Sequence, residues 1–192
     1  EGAERIGAGV AAWAQQGTVL VGRDTRESGE RLEQHLINGL LAGGATVQRL
    51  NIVPTAAVSA AVLAEPEAKA GIMITASHNR WQDNGIKVVD GNGEKLLNPN
   101  ELVQHFADPP RPGNGTETSH PDPLSAWRSS LPKVDLSGWK ILLDAAHGAG
   151  AVAAPAALRD AGAQVVTIGC SPTGRNINDG VGAMQPPHDI QG

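Results

Sequence analysis

The chain has 192 residues, with 15 basic and 20 acidic side chains and a formal net charge of -5, so it offers no broad attraction for nucleic acid or an anionic membrane. An anionic ligand would have to be held by a local cluster. One cysteine, Cys170, excludes an intrachain disulfide and an all-cysteine metal site, and one Phe without any Tyr leaves no stacking platform for bases.

Ile6, Val10 and Trp13 recur at helical spacing, which predicts an amphipathic helix over residues 2–16 ending at Gly17. Residues 18–21 follow as a strand. Ser28 stands where it can cap a helix running to Ala42, with Leu32, Leu36 and Leu40 in one row, and Gly43-Gly44 stops it. Residues 45–50 read as the next strand, 54–64 as an Ala/Val-rich helix and 70–75 as the third strand. The β-α-β-α-β order implies right-handed crossovers and a mainly parallel sheet. Residues 86–89 and 94–97, joined at Asp90-Gly91-Asn92-Gly93, read as a hairpin carrying an edge strand, and a short helix over 98–106 closes the unit.

Residues 107–123 are rich in Pro, Gly, Thr, Ser and Asp, a composition suited to an exposed linker. Beyond it, 124–130 reads as a helix, 139–143 as a strand, 150–161 as a helix and 164–168 as a strand. Residues 169–192 have no periodicity, so this second unit has two strands where a doubly wound domain needs more. No apolar run approaches the length of a membrane span, and the acidic start has no signal-like core, so the chain reads as soluble and cytoplasmic.

The chemistry concentrates after the third strand. Residues 70–75 are apolar without alternation, as in a parallel strand covered on both faces, and Ser77 falls just beyond their carboxyl end. Ligands of open α/β sheets bind at that edge, where His78, Asn79, Asn84 and Lys87 can crowd one serine. A serine needs a neighbour to take its proton, and a developing phosphoryl charge needs fixed donors; the loop contains both kinds of group. The same residues also suit a polar surface turn entering a hairpin.

Thr75-Ala76-Ser77-His78-Asn79 followed by Asp83-Asn84-Gly85-Ile86-Lys87 resembles the phosphoserine loop of the α-D-phosphohexomutases, which move phosphate between the 6- and 1-hydroxyls of a hexose. Gly22-Arg23-Asp24-Thr25-Arg26 with Ser28-Gly29 is similar to that family's first strand-to-helix turn. Asn176-Ile177-Asn178-Asp179 is similar to a second-domain loop of its phosphoglucosamine mutase branch, although Val181 replaces a cysteine common there. Arg80 stands where the family usually has proline. The resemblance implies a three-layer α/β/α domain with a mixed, mainly parallel sheet, followed by part of a second similar α/β domain. Its boundaries are a first domain over 1–108 carrying the serine loop, a linker over 109–122, and a partial second domain over 123–192 that lacks the family's magnesium loop.

The resemblance further implies that Ser77 is the phosphorylated residue and, through its phosphate, a ligand of Mg2+ in the complete enzyme. His78 and Lys87 are the other candidate catalytic residues. Lys87 resembles a proton-handling lysine, and could also neutralise phosphate or face solvent at a strand edge. His78 could assist proton transfer, bond a phosphate oxygen or brace the loop. Arg23, Arg26, Asn79 and Asn84 are the candidate phosphate or substrate binders, with the two arginines alternatively bracing the loop or forming a salt-bridged turn. Asp24 is expected to orient an arginine; the Gly-rich turn holding Asp144 and His147 resembles a weak phosphate loop and is expected to be a plain strand-to-helix turn. The implied substrate is a phosphosugar and the implied activity a phosphohexomutase acting through a bisphosphate intermediate. The phosphoglucosamine branch is favoured over the phosphoglucomutase and phosphomannomutase branches. A non-catalytic phosphate-binding module is the alternative of a different class. The 192 residues alone are expected to be inactive, and the open edge of the second unit is a candidate homodimer surface.

Overall fold

The computed structural model describes residues 2–98, 100–106 and 113–184. Five strands share one sheet: β1 (Thr18–Arg23), β2 (Thr46–Ile52), β3 (Ala68–Ile74), β4 (Ile86–Asp90) and β5 (Thr116–Ser119), in the order β4-β3-β1-β2-β5. Every neighbouring pair is parallel except β3 with β4. The central strands are apolar on both sides because both are covered. On one side Val19, Val21, Ile72 and Ile74 meet Val10 of α1 (Gly2–Trp13) and Leu36, Ile37 and Leu40 of α2 (Gly29–Ala42). On the other, Leu20, Leu50 and Met73 meet Ala57, Val58 and Val62 of α3 (Thr55–Ala64). Each Val, Leu, Ile or Met side chain among them, fully buried, contributes about 1.5–3 kcal/mol. The result is a three-layer α/β/α domain with a mixed, mainly parallel sheet.

The first two helices touch backbone to backbone. A Cβ on Gly7 would lie 2.1 Å from the Leu36 carbonyl oxygen, and one on Gly39 would lie 2.0 Å from that of Glu4. Only glycine at both positions permits this approach.

Several elements depart from the sequence reading. α1 stops at Trp13, because Gln15 and Gln16 turn left-handed with φ of 52° and 61°. Ser28 makes no side-chain cap to α2. Of the helix expected over 98–106, only α4 (Asn100–Val103) forms. The far arm of the hairpin makes one bridge, Val89 to Lys95, and adds no strand to the sheet. The largest correction concerns the expected linker over 109–122. Residues 116–119 form β5 and pair in parallel with Thr46–Arg49. All four β5 side chains are exposed, so the strand has no apolar face to betray it. Backbone pairing and the Arg49–Glu117 ion pair at 2.7 Å hold it at the sheet edge. Residues 107–112 lie outside the described residues.

The second unit contains α5 (Ser125–Ser130), β6 (Lys140–Asp144), α6 (Gly150–Asp160) and β7 (Gln164–Ile168). β6 and β7 pair in parallel, with α6 as the crossover. Among the described residues no third strand joins them. Leu142 and Val166 are register partners on one face of this ribbon, yet they remain 44% and 63% exposed. No described helix is long and apolar enough to cross a membrane.

Candidate active site

The site begins where β1 and β3 end side by side. Asp24 follows β1, and its N–H donates to the Ile74 carbonyl at 3.0 Å. Its carboxylate then organises both strand ends. Oδ2 accepts from Thr75 Oγ1 at 2.7 Å and from Arg26 Nε at 2.9 Å, while Oδ1 accepts from the Arg26 backbone N–H at 3.1 Å.

Arg26 is 1% exposed, and all five of its guanidinium N–H groups are used. Besides Asp24, they reach the carbonyls of Ser77 at 2.9 Å, Asn79 at 3.2 Å, Asp83 at 3.1 Å and Arg80. One buried cation therefore gathers four carbonyls of a single loop. The loop is closed at its base by the Thr75 N–H on the Gly85 carbonyl at 2.9 Å.

This framework holds Ser77 at φ 54°, a left-handed conformation that a non-glycine residue keeps only when its surroundings impose it. The turn follows the carboxyl end of β3, as the strand–loop order predicts. Ser77 is exposed, with Oγ 3.2 Å from His78 Nδ1. Both line a crevice of about 340 Å³ together with Asp24 and Thr75, and Asp144, Gly148, Ile177 and Asn178 of the second unit close its other side. Lys87 is half-buried on β4 directly opposite Met73, which lines the same crevice. Residues opposite one another share a sheet face, so Lys87 rises on the crevice side, with no hydrogen-bond or ion-pair partner among the described residues.

Of the four expected phosphate binders, Arg23, Arg26 and Asn84 are engaged within the protein, Arg26 as the loop brace that is one of its alternative readings. Arg23 does not enter the crevice; its Nε pairs with Glu33 Oε2 at 3.1 Å. Arg26 reaches the serine loop as a brace with no donor left for a ligand. The Asn84 amide donates to Ser28 Oγ at 3.0 Å, and its Oδ1 accepts the Gly85 N–H at 2.9 Å, so it too braces the loop. Asn79 is exposed and contributes its carbonyl to the framework. The sequence reading left out Thr75, whose hydroxyl links Asp24 to the Ser77 N–H at 3.3 Å, and Asn178, which touches the loop from the second unit. Thr75 lies inside the loop motif, and Asn178 inside the 176–179 motif, where nothing local shows that it reaches Ser77.

Glu33 is fully buried, with Arg23 and Arg49 both on Oε2 and Oε1 left without a partner. Burial pushes its carboxyl up, against the pull of Arg49 and Arg23. The folded chain therefore keeps this proton to higher pH than the unfolded chain. Its contribution to stability is fully present below the ordinary glutamate value and declines as pH rises toward the raised folded one. Denaturant unfolding over that range should show this decline, and Glu33→Gln, with no proton to lose, should flatten it. An unchanged slope in Glu33→Gln would assign the decline to another group.

The second unit is joined to the first by specific contacts. Thr25 Oγ1 donates to the His147 carbonyl at 2.6 Å, and the Glu27 N–H donates to the Gly174 carbonyl at 2.9 Å. Arg175 pairs with Glu27 at 2.6 Å and lies 5.3 Å from the centroid of Trp81 in the serine loop. Asp144 ends β6 and accepts the N–H groups of Ala146 at 2.8 Å and Gly182 at 2.6 Å, as befits a strand-to-helix turn. Among the described residues no group of three or more His, Cys, Asp or Glu side chains could hold a metal ion. Asp24 and Asp144 each accept protein hydrogen bonds on both carboxylate oxygens.

This α/β/α domain has a counterpart among known proteins. Residues 1–108 match the family described as phosphoglucomutase/phosphomannomutase, alpha/beta/alpha domain I. The chain belongs to this family, within the α-D-phosphohexomutase superfamily. Similar curated proteins include the phosphoglucosamine mutases of Macrococcus caseolyticus, 45% identical over 183 residues, and of Streptococcus pyogenes serotype M1, 44% identical over 179. Each alignment covers 88% of this chain and 40% of the relative, so the chain spans about two fifths of their length. The crystal structure of a phosphoglucomutase/phosphomannomutase family protein from Burkholderia thailandensis superposes with a TM-score of 0.78 at 26% identity, covering 90% of this chain and 41% of that one.

Proposed function

We propose that the chain is the phosphoryl-donating part of a phosphohexomutase, and of the branch that interconverts glucosamine 6-phosphate and glucosamine 1-phosphate. The observation that carries this reading is the presentation of Ser77, with its hydroxyl in the crevice and its loop carbonyls gathered by Arg26. The relatives named phosphoglucosamine mutase support the choice of branch. So does Asn176-Ile177-Asn178-Asp179.

In this reading phosphorylated Ser77 transfers to a sugar hydroxyl. The bond from phosphorus to Ser77 Oγ breaks as one to the sugar oxygen forms; the hydroxyl proton passes to Lys87, which enters this step as the neutral amine, and Oγ takes a proton from His78, which enters it as the imidazolium. The bisphosphate turns over, and the other phosphoryl group returns to Oγ by the reverse step. Splitting the transfer between distant hydroxyls into two in-line steps is what a covalent phosphoenzyme achieves. The Mg2+ implied by the resemblance would find one ligand in this chain, the phosphate on Ser77, and no step is assigned to it.

The test is an assay of the full-length protein, primed with hexose bisphosphate, against the 6-phosphates of glucosamine, glucose and mannose. The glucosamine ester is expected to give the highest kcat/KM; preference for another sugar reassigns the branch, and turnover of none of the three overturns the reading. The 192-residue segment alone is expected to be inactive and to self-associate through the open β6–β7 ribbon with Leu142 and Val166 uncovered. Light scattering that finds a monomer at every concentration would defeat that expectation.

A further inference from the structure

We infer that Asn178 is a positioning residue for Ser77, supplied by the second unit. The inference rests on the reading of Ser77 as the phosphoryl carrier. It starts from the two hydrogens of one amide: Asn178 Nδ2 donates to the Ser77 carbonyl at 2.9 Å and to the Asn79 carbonyl at 3.0 Å. These are the same two carbonyls that Arg26 holds from beneath at 2.9 and 3.2 Å. A carbonyl oxygen has two lone pairs, so the pair is saturated, one bond to each oxygen from each side. The Ser77–His78 and Asn79–Arg80 peptide planes are thereby pinned between the two units, and the first of them helps to set where Ser77 Oγ points.

The loop that carries Asn178 is built to present it. Asn176 turns inward: its amide donates to the Ser171 carbonyl at 3.0 Å, and its Oδ1 accepts the Thr173 N–H at 2.8 Å. Ile177 is buried at the crevice wall. Asn178 follows with φ 60°, its N–H on the Ala146 carbonyl at 2.9 Å, and this left-handed turn throws its side chain across to the serine loop. Asparagine suits both demands, since it tolerates this conformation better than other side chains and ends in two donors.

Two variants separate positioning from folding. Asn178→Gly removes the amide and relaxes the backbone at a positive φ. Asn178→Asp keeps the shape but turns an acceptor toward two carbonyls. In the full-length protein both are expected to leave the unfolding midpoint and KM near wild type while lowering kcat on the order of tenfold to a hundredfold, Asp more than Gly, as misplacement of a reacting group does. Amide exchange over residues 76–84 is expected to quicken in both. Wild-type exchange in this loop overturns the clamp whatever the activity. Faster exchange with unchanged kcat overturns the positioning role, and a fall in kcat matched by a fall in the midpoint makes Asn178 structural. A wild-type protein without mutase turnover sinks the phosphohexomutase reading alone, because loop exchange still reports the clamp.

Discussion

Ser77→Gly in the full-length protein is expected to abolish mutase turnover, by about 10⁴-fold or more, because no oxygen remains to receive phosphate. Glycine is the sharper choice than alanine. At φ 54° an alanine would keep the roughly 1–2 kcal/mol of left-handed strain that serine already bears, whereas glycine relieves it. The glycine variant should therefore unfold no earlier than wild type while losing all phosphoserine, and a loss of activity could not be blamed on misfolding. Ser59→Ala, on α3 and outside the crevice, should keep full activity. Full turnover in Ser77→Gly would sink the mechanism, and phosphopeptide mapping to another serine would relocate it.

The second large effect is expected at Arg26. Arg26→Ala leaves the buried Asp24 carboxylate without its cation and takes one donor from each of four loop carbonyls. Removing one partner of a buried ion pair costs about 3–5 kcal/mol, so the unfolding midpoint should drop by roughly 6–20 °C. Arg26→Lys keeps the charge but has three donors on one nitrogen in place of five on a planar fork. It should retain much of the stability and lose the loop geometry, with kcat falling well below wild type. Arg26→Lys with wild-type kcat would mean that the carbonyl cradle is dispensable.

The layered α/β order could be read from the sequence because periodicity reports burial, and burial of both sheet faces is what makes the central strands continuous apolar runs. β5 could not. Its partner is 70 residues earlier in the chain, and its four side chains face solvent, so composition alone describes a linker. The site divides in the same way. Ser77 and His78 share one local motif, and their crevice was legible in it. Arg23 and Arg26 look equivalent as two cations on one turn, yet one folds back toward α2 to meet Glu33 and the other is buried beneath the loop. That choice depends on where β3 ends, which no local pattern encodes. Ser28 looks like a helix cap and instead meets Asn84, 56 residues away. Asn178 is 101 residues from Ser77, and only the docking of the second unit brings them together.

Arg26 turns its whole charge inward. Neutralised by Asp24 and surrounded by carbonyls, it adds little to the pull on a dianion at Ser77. In the proposed cycle that phosphate must depart and be recaptured within each turnover, so a deep electrostatic well beneath the serine would hold the enzyme in its phosphorylated resting form. Rigidity without attraction adds nothing to that well: the loop's shape is fixed by a cation whose charge is spent on Asp24 and the loop carbonyls.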